Sequence, residues 1–177
     1  IILSTGMSSL GEIEEALEII RMQGVNEVVL LHCVTSYPAL MADLNLKVMH
    51  TLKHAFKIPV GFSDHTIGIT ASSVAVALGA CIIEKHFTLD KSLPGPDHNM
   101  SLNPDELKEL VNSIRNVEKA LGDGIKRLAP IEVEIQKVAR RSIVSTIHIP
   151  KGTIITESMI SIKRPSGGIE PKYYDLA

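Results

Sequence analysis

Four times in its first 120 residues the chain passes from a short apolar run into an amphipathic stretch of helical period. The runs are Ile1–Thr5, Val28–Cys33, Pro59–Phe62 and Cys81–Phe87. All four read as strands, and Val28–Cys33 is apolar on both faces as a parallel sheet requires. The first helical stretch places Leu10, Ile13, Leu17 and Ile20 on one face; Ser9 with Glu12 forms a capping box and Gly24 closes it. Leu46, Met49, Leu52 and Phe56 form the second stripe, and Thr70–Leu78 is a third helix ended by Gly79. Asn103-Pro104-Asp105-Glu106 is a helix start, with a cap, a proline at the first helical position and acid in the first turn. That helix runs through Leu107, Leu110, Ile114, Val117 and Leu121 to Gly122. Parallel strands joined by crossover helices define an α/β fold. A complete (β/α)₈ TIM barrel needs roughly 250 residues, so four units amount to half of one. A small open doubly wound sheet accommodates the same strands, and periodicity alone leaves both open.

After Gly122 the character changes. Residues 123–139 are polar and mixed, a linker with helical tendency, and from Arg140 the chain turns β-rich. Ser142–Ile149, Thr153–Thr156 and Met159–Lys163 read as strands, with a Pro150-Lys151-Gly152 turn. The expected organisation is therefore a half-barrel over 1–122, a linker over 123–139 and a partial small β domain over 140–177. The chain opens at Ile1 in mid-strand without an initiator Met, and is expected to be a piece of a longer polypeptide. A net charge of −2 argues against nucleic-acid and anionic-membrane partners. Three Phe, three Tyr and no Trp leave nothing to build a base-stacking platform. The longest uncharged stretch, Ile67–Ile83, is too short and too polar for a membrane span. Cys33 and Cys81 sit in apolar runs as small hydrophobes, and no signal peptide opens the chain, so a reducing, cytoplasmic compartment is expected.

Strand alternation narrows the chemistry. It puts Gly61, Ser63 and His65 on one face of the third strand, and Val60, Phe62 and Asp64 on the other. On the fourth, Ile82, Glu84 and His86 share a face. His65 and His86 thus reach the C-terminal ends of adjacent strands, the rim where barrel enzymes place their sites. Two imidazoles there can hold a divalent metal whose shell water or substrate oxygens complete. The alternative is a turn residue and a rim histidine, each satisfied locally. Their separation fits no compact zinc signature. Ser4-Thr5-Gly6 offers hydroxyls and free N–H groups to an anion, or is an ordinary strand-to-helix turn. Tyr37, in Thr35-Ser36-Tyr37-Pro38, either contacts a sugar or packs. Pro94-Gly95-Pro96-Asp97-His98 is a stiff loop that projects Asp97 and His98 toward the same rim or serves only the fold. Lys137, Arg140 and Arg141 read as a solvated face.

Five stretches, taken in order, carry a resemblance. They are Ile2-Leu3-Ser4-Thr5-Gly6-Met7, Leu31-His32-Cys33-Val34-Thr35-Ser36-Tyr37-Pro38 and Val60-Gly61-Phe62-Ser63-Asp64-His65-Thr66, then Glu84-Lys85-His86-Phe87-Thr88-Leu89-Asp90 and Gly95-Pro96-Asp97-His98. Together they resemble the sialic acid synthase family, the N-acetylneuraminate synthases and their bacterial relatives. The resemblance covers essentially the whole chain. It implies that residues 1–122 are strands five to eight of the family's TIM barrel and that 140–177 begin its antifreeze-like (SAF, β-clip) domain.

The family condenses phosphoenolpyruvate with an N-acetylated amino sugar, N-acetylmannosamine or a related 2,4-diacetamido hexose. The product is a nonulosonic acid, with release of phosphate, in polysaccharide biosynthesis. The resemblance implies that His65 and His86 ligate a divalent metal, Mn²⁺ with Mg²⁺ or Co²⁺ as substitutes, and take part in catalysis together with Asp97. It implies that Ser4 and Ser63 hold phosphoenolpyruvate, with Thr35 where many members have an Asn. Tyr37 and Asp97 match residues facing the amino sugar. Arg164 matches an arginine that the SAF domain delivers into the partner's barrel in a domain-swapped homodimer. Gly95-Pro96-Asp97-His98 favours the sialic or legionaminic branches over the pseudaminic one, and a spore-coat polysaccharide synthase is an equally natural label. With the family's first four strands absent, the chain is expected to keep its metal ligands but not to complete catalysis alone. Two other readings remain. One is a phosphoenolpyruvate aldolase of the heptulosonate or octulosonate type, against which Ile149-Pro150-Lys151-Gly152-Thr153 and the Arg164 region argue. The other is a non-catalytic sugar- and metal-binding half-barrel.

Overall fold

The computed structural model describes residues 1–176. The chain divides into two compact units, Ile1–Gly124 and Ile125–Ala177. Among the described residues no helix is long and apolar enough to cross a membrane.

The first unit is built on four strands, β1 (Ile2–Ser4), β2 (Val29–Cys33), β3 (Val60–Asp64) and β4 (Ile83–Lys85). All neighbours are parallel and the order is β1-β2-β3-β4. That order settles what periodicity left open. A doubly wound sheet reverses direction at a switch point to place helices on both faces. Here every crossover steps to the next position in the same direction, and with right-handed crossovers every helix falls on one side. A twisted sheet covered on one side in this way curls as a segment of a barrel wall.

Helices α1 (Leu10–Met22), α2 (Val48–Phe56), α3 (Thr70–Ala77) and α4 (Pro104–Leu121) complete the unit. The expected caps are present: Ser9 with Glu12 and Asn103 with Glu106 each form a capping box, and Pro104 opens α4. The core lies between the sheet and the helices. Leu30, Val60 and Phe62 meet Ile13 and Leu17 of α1, Met49 and Leu52 of α2, and Ala71 and Ala75 of α3. Leu30 and Phe62 are fully buried.

β4 is shorter than the apolar run suggests. Beyond Lys85 the chain leaves β3, and Phe87 forms an isolated bridge with Leu102. The cause is at the end of β3. The Thr66 N–H and hydroxyl both donate to Asp64 Oδ1 at 2.8 Å, which turns the backbone away from the ladder. Cys81 just before β4 is exposed rather than buried, whereas Cys33 is buried.

The second unit contains α5 (Glu132–Ala139) and an antiparallel ribbon of β5 (Ser142–Ser145) and β6 (Ile160–Lys163). The Ser166 N–H and hydroxyl both donate to the Lys137 carbonyl, tying α5 to the loop after β6. β5 stops at Ser145 because its four-residue partner ends opposite it. Residues 153–156 form no strand; Ile154 and Ile155 are exposed, and no strand pairs with them among the described residues.

Candidate functional site

The face of the sheet opposite the helices carries Leu31, Cys33, Gly61, Ser63 and Glu84, and at its C-terminal edge it opens into a cavity of about 430 Å³. Ser4, Cys33, Thr35, Tyr37, Ser63, His65, Glu84 and His86 line it together with residues 5–8. The four strands thus contribute in turn, through residues whose alternation points them away from the helical layer. The Thr5 N–H and hydroxyl both donate to the Leu31 carbonyl, at 2.9 and 3.0 Å, pinning the turn after β1. The Gly6 N–H donates to Cys33 Sγ at 3.2 Å, and Ser4 Oγ lies 3.1 Å from the same sulfur.

Two imidazoles stand at the rim with ring centroids 5.5 Å apart. The Tyr37 ring lies 4.2 Å from His65 and 5.7 Å from His86, closing a three-ring cluster. His65 Nδ1 sits 2.8 Å from the Val34 carbonyl, which can only accept, so Nδ1 carries the proton. In the neutral ring the Nε2 lone pair is then free, the tautomer a metal-ligating histidine uses. Ser63 Oγ lies 3.3 Å from Nε2, but its proton goes to Glu84 Oε1 at the shorter 2.7 Å. His86 is half-buried, with Nδ1 3.9 Å from Asp97 Oδ2.

The loop that bears Asp97 is anchored at several points. The Ser101 N–H and hydroxyl donate to the Asp97 carbonyl. His98 turns away from the cavity to Thr88, with Nδ1 2.7 Å from the hydroxyl, so it does not join Asp97 at the rim. A Cβ on Gly95 would meet His98 Cδ2 at 2.9 Å; with φ of +149° as well, the position suits glycine. Lys91 binds Glu106 at 2.6 Å, fastening the loop to the start of α4.

On the helix side of the same strand ends, Lys85 Nζ meets Asp64 Oδ2 at 3.0 Å with both side chains nearly or fully buried. Burial pushes the Lys85 ammonium below the ordinary lysine value, and the Asp64 carboxylate opposes that shift. Among the described residues, every buried side-chain polar atom has a partner.

Ser4, Thr35, Tyr37, Ser63, His65 and His86 therefore share one cavity, and Asp97 approaches its edge. Arg164 is exposed at the end of β6 in the second unit. Glu84 and Cys33 are cavity residues that the motifs alone did not single out. The period-two pattern of β4 already put Glu84 on the His86 face; its contact with Ser63 follows from the register that pairs those two residues. Among the described residues no group of three or more His, Cys, Asp and Glu side chains is assembled to hold a metal. A metal here would take two protein nitrogens and fill its shell from elsewhere.

A sequentially ordered parallel sheet with helices on one side and a polar cavity on its C-terminal strand ends defines a half-barrel α/β domain. Residues 1–126 match the NeuB family, and the chain belongs to it. It is 52% identical over 177 residues to the N,N'-diacetyllegionaminic acid synthase of Campylobacter jejuni, covering 99% of this chain and 53% of that one. The structure of an N-acetylneuraminic acid (sialic acid) synthetase from Leptospira borgpetersenii in complex with citrate matches with a TM-score of 0.68 and 43% identity. That match covers 76% of this chain and 47% of the other. The spore coat polysaccharide biosynthesis protein SpsE of Bacillus subtilis matches at 0.64 and 41% identity, over 99% of this chain and 54% of its own. The chain spans about half the length of the curated relatives it matches.

Proposed function

We propose that this chain is the second half of a nonulosonic acid synthase, carrying strands five to eight of its barrel and the start of its SAF domain. The reaction is condensation of phosphoenolpyruvate with an N-acetylated amino sugar of the N-acetylmannosamine or 2,4-diacetamido hexose type. The observation that carries the reading is the pair of rim imidazoles, one with its Nε2 lone pair free, in a cavity lined by the Ser4 and Ser63 hydroxyls. Relatives named as legionaminic and sialic acid synthases support it.

His65 and His86 fit a divalent metal, Mn²⁺ in the family's pattern, as two nitrogen donors. When bound, the metal supplies Lewis acidity to a sugar carbonyl. The protein's own residues do the rest. Ser4, Thr35 and Ser63 bind the phosphoenolpyruvate anion. Ser63 has one proton, so donating to substrate requires releasing Glu84 Oε1. Tyr37 and Asp97 flank the acceptor sugar, and Asp97 orients its hydroxyls. The C3 enol carbon of phosphoenolpyruvate forms a bond to C1 of the open-chain aldehyde, whose C=O π bond opens to an alkoxide while C2 becomes an oxocarbenium. Water then attacks C2, the alkoxide takes the proton that this water releases, and phosphate leaves with C–O cleavage. Arg164 of the partner subunit reaches this cavity in a swapped homodimer, where its planar fork clamps the substrate.

The test is product mass spectrometry with Mn²⁺, phosphoenolpyruvate and N-acetylmannosamine. The chain alone is expected to give no nine-carbon keto acid, and the chain combined with a relative's N-terminal half is expected to give it. Turnover by the chain alone refutes the half-enzyme reading. Calorimetric Mn²⁺ titration of His65→Ala and His86→Ala should show binding lost in both, and unchanged binding in either refutes the ligand assignment.

A further inference from the structure

Asp64 and Lys85 immediately precede His65 and His86, and the parallel register sets them directly opposite each other. Strand alternation turns the two histidines into the cavity and these two residues out toward α3. Their side chains are 0% and 4% exposed and meet at 3.0 Å. Asp64 is saturated: Oδ1 takes the Thr66 N–H and hydroxyl, and Oδ2 takes the Ser72 hydroxyl of α3 at 2.6 Å. Lys85 does more than pair with Asp64. Its shortest contact, 2.7 Å, is to the carbonyl of Thr66, and it also approaches the Asp64 carbonyl at 3.5 Å. The ammonium on β4 therefore grips the backbone on both sides of His65. A buried ion pair contributes little net stability compared with apolar side chains of the same volume. Its distinctive effect here is geometric, since it joins the two strand ends where the ladder stops.

We infer that the Asp64–Lys85 pair is a positioning device that sets the spacing and orientation of the two rim imidazoles. This rests on the reading of His65 and His86 as a metal-binding pair. Outer residues that orient metal ligands change affinity on the order of ten- to a hundredfold when removed, without touching the metal.

The test uses Co²⁺ titration of the full chain, followed by visible absorption, alongside thermal melting. Asp64→Asn/Lys85→Met removes both charges together and leaves neither buried alone. The expected result is cooperative melting, a Co²⁺ Kd raised about tenfold or more, and a displaced absorption band. A folded double variant with the unsubstituted chain's Kd and spectrum overturns the inference. If that variant does not fold, Lys85→Arg carries the test, because it keeps the charge but moves the donor off the Thr66 carbonyl. A Kd raised severalfold there supports the inference and an unchanged Kd overturns it. His65→Gln/His86→Gln separates the two levels. Retained Co²⁺ binding in that variant, or none in the unsubstituted chain, refutes the metal reading and the positioning role with it. Binding lost there but unchanged in the Asp64/Lys85 variants refutes the positioning role alone.

Discussion

Gly61 is the second residue of β3 and lies on the cavity face, and the space around it predicts that even one methyl group is too much. A Cβ there would lie 2.6 Å from the Ile82 carbonyl oxygen and 2.6 Å from Leu31 Cδ2, with Ile82 Cβ at 3.0 Å. Leu31 can rotate its terminal methyl away. The Ile82 carbonyl cannot, because it is backbone and accepts the Phe62 N–H at 2.9 Å, a bond between β3 and β4. Gly61→Ala therefore wedges β4 outward. Overpacking of this kind costs about 1–3 kcal/mol, and a weakened ladder bond about 1 more. Restricting the unfolded chain returns about 0.4–1 kcal/mol. The net is a loss of about 1–3.6 kcal/mol, which for a chain of this size lowers Tm by roughly 2–14 °C. Gly11, on α1 with nothing within 4 Å of its Cβ position, is the control. Gly11→Ala is expected to be neutral or to stabilise by up to about 1 kcal/mol. Far-UV circular dichroism melts of the three proteins decide the matter. A Gly61→Ala chain that melts at or above the unsubstituted one shows that β4 yields without strain and refutes the reasoning.

Other residues give sharper local tests. The Lys91 ammonium and then the Asn103 N–H hold the Glu106 carboxyl below its ordinary 4.5. Its contribution is therefore complete above about pH 4.5 and lost as pH falls through the lower folded value. At a half-exposed site this is below about 1 kcal/mol. Glu106→Gln should flatten that part of the acid limb in urea titrations at stepped pH, and an unchanged limb contradicts the assignment. Cys81 is exposed and Cys33 is 4% exposed, so a thiol-specific chromogenic reagent should label the first at once and the second slowly. Equal rates would show that the Cys33 face of the sheet is open to solvent. Ser63→Ala should weaken phosphoenolpyruvate binding in the complemented enzyme by about tenfold or more, the worth of a hydrogen bond to a charged group. It should shift Tm little, because Glu84, which loses its donor, is exposed. A large Tm loss with unchanged affinity would make Ser63 a structural residue.

Much of the first unit is legible in the sequence because its signals are local. Ser9 with Glu12 and Asn103-Pro104 mark helix starts whatever else the chain does, and the strand alternation that separates Ser63 and His65 from Phe62 and Asp64 needs no partner. What is not legible depends on pairing. The stretch Cys81–Phe87 looks like a seven-residue strand, yet only Ile83–Lys85 pairs, because β3 turns away at Thr66. Residues 153–156 have strand composition but no strand partner among the described residues, and composition alone does not make a ladder.

Glu84 and Lys85 show the same dependence most clearly. In sequence they are two charged residues beside a histidine; alternation sets Glu84 on the His86 face and Lys85 on the other, but names neither one's partner. The register decides it, by setting Ser63 against Glu84 and Asp64 against Lys85. Both cross-strand contacts come from that single alignment, one on each face of the sheet. A slip of one residue would turn Lys85 into the cavity and Glu84 into the helical layer, where its charge would meet Asp64. The β3–β4 register is thus worth more to the site than any one of its side chains. The fit of Gly61 under the Ile82 carbonyl, which admits no Cβ, is one of the features that hold it.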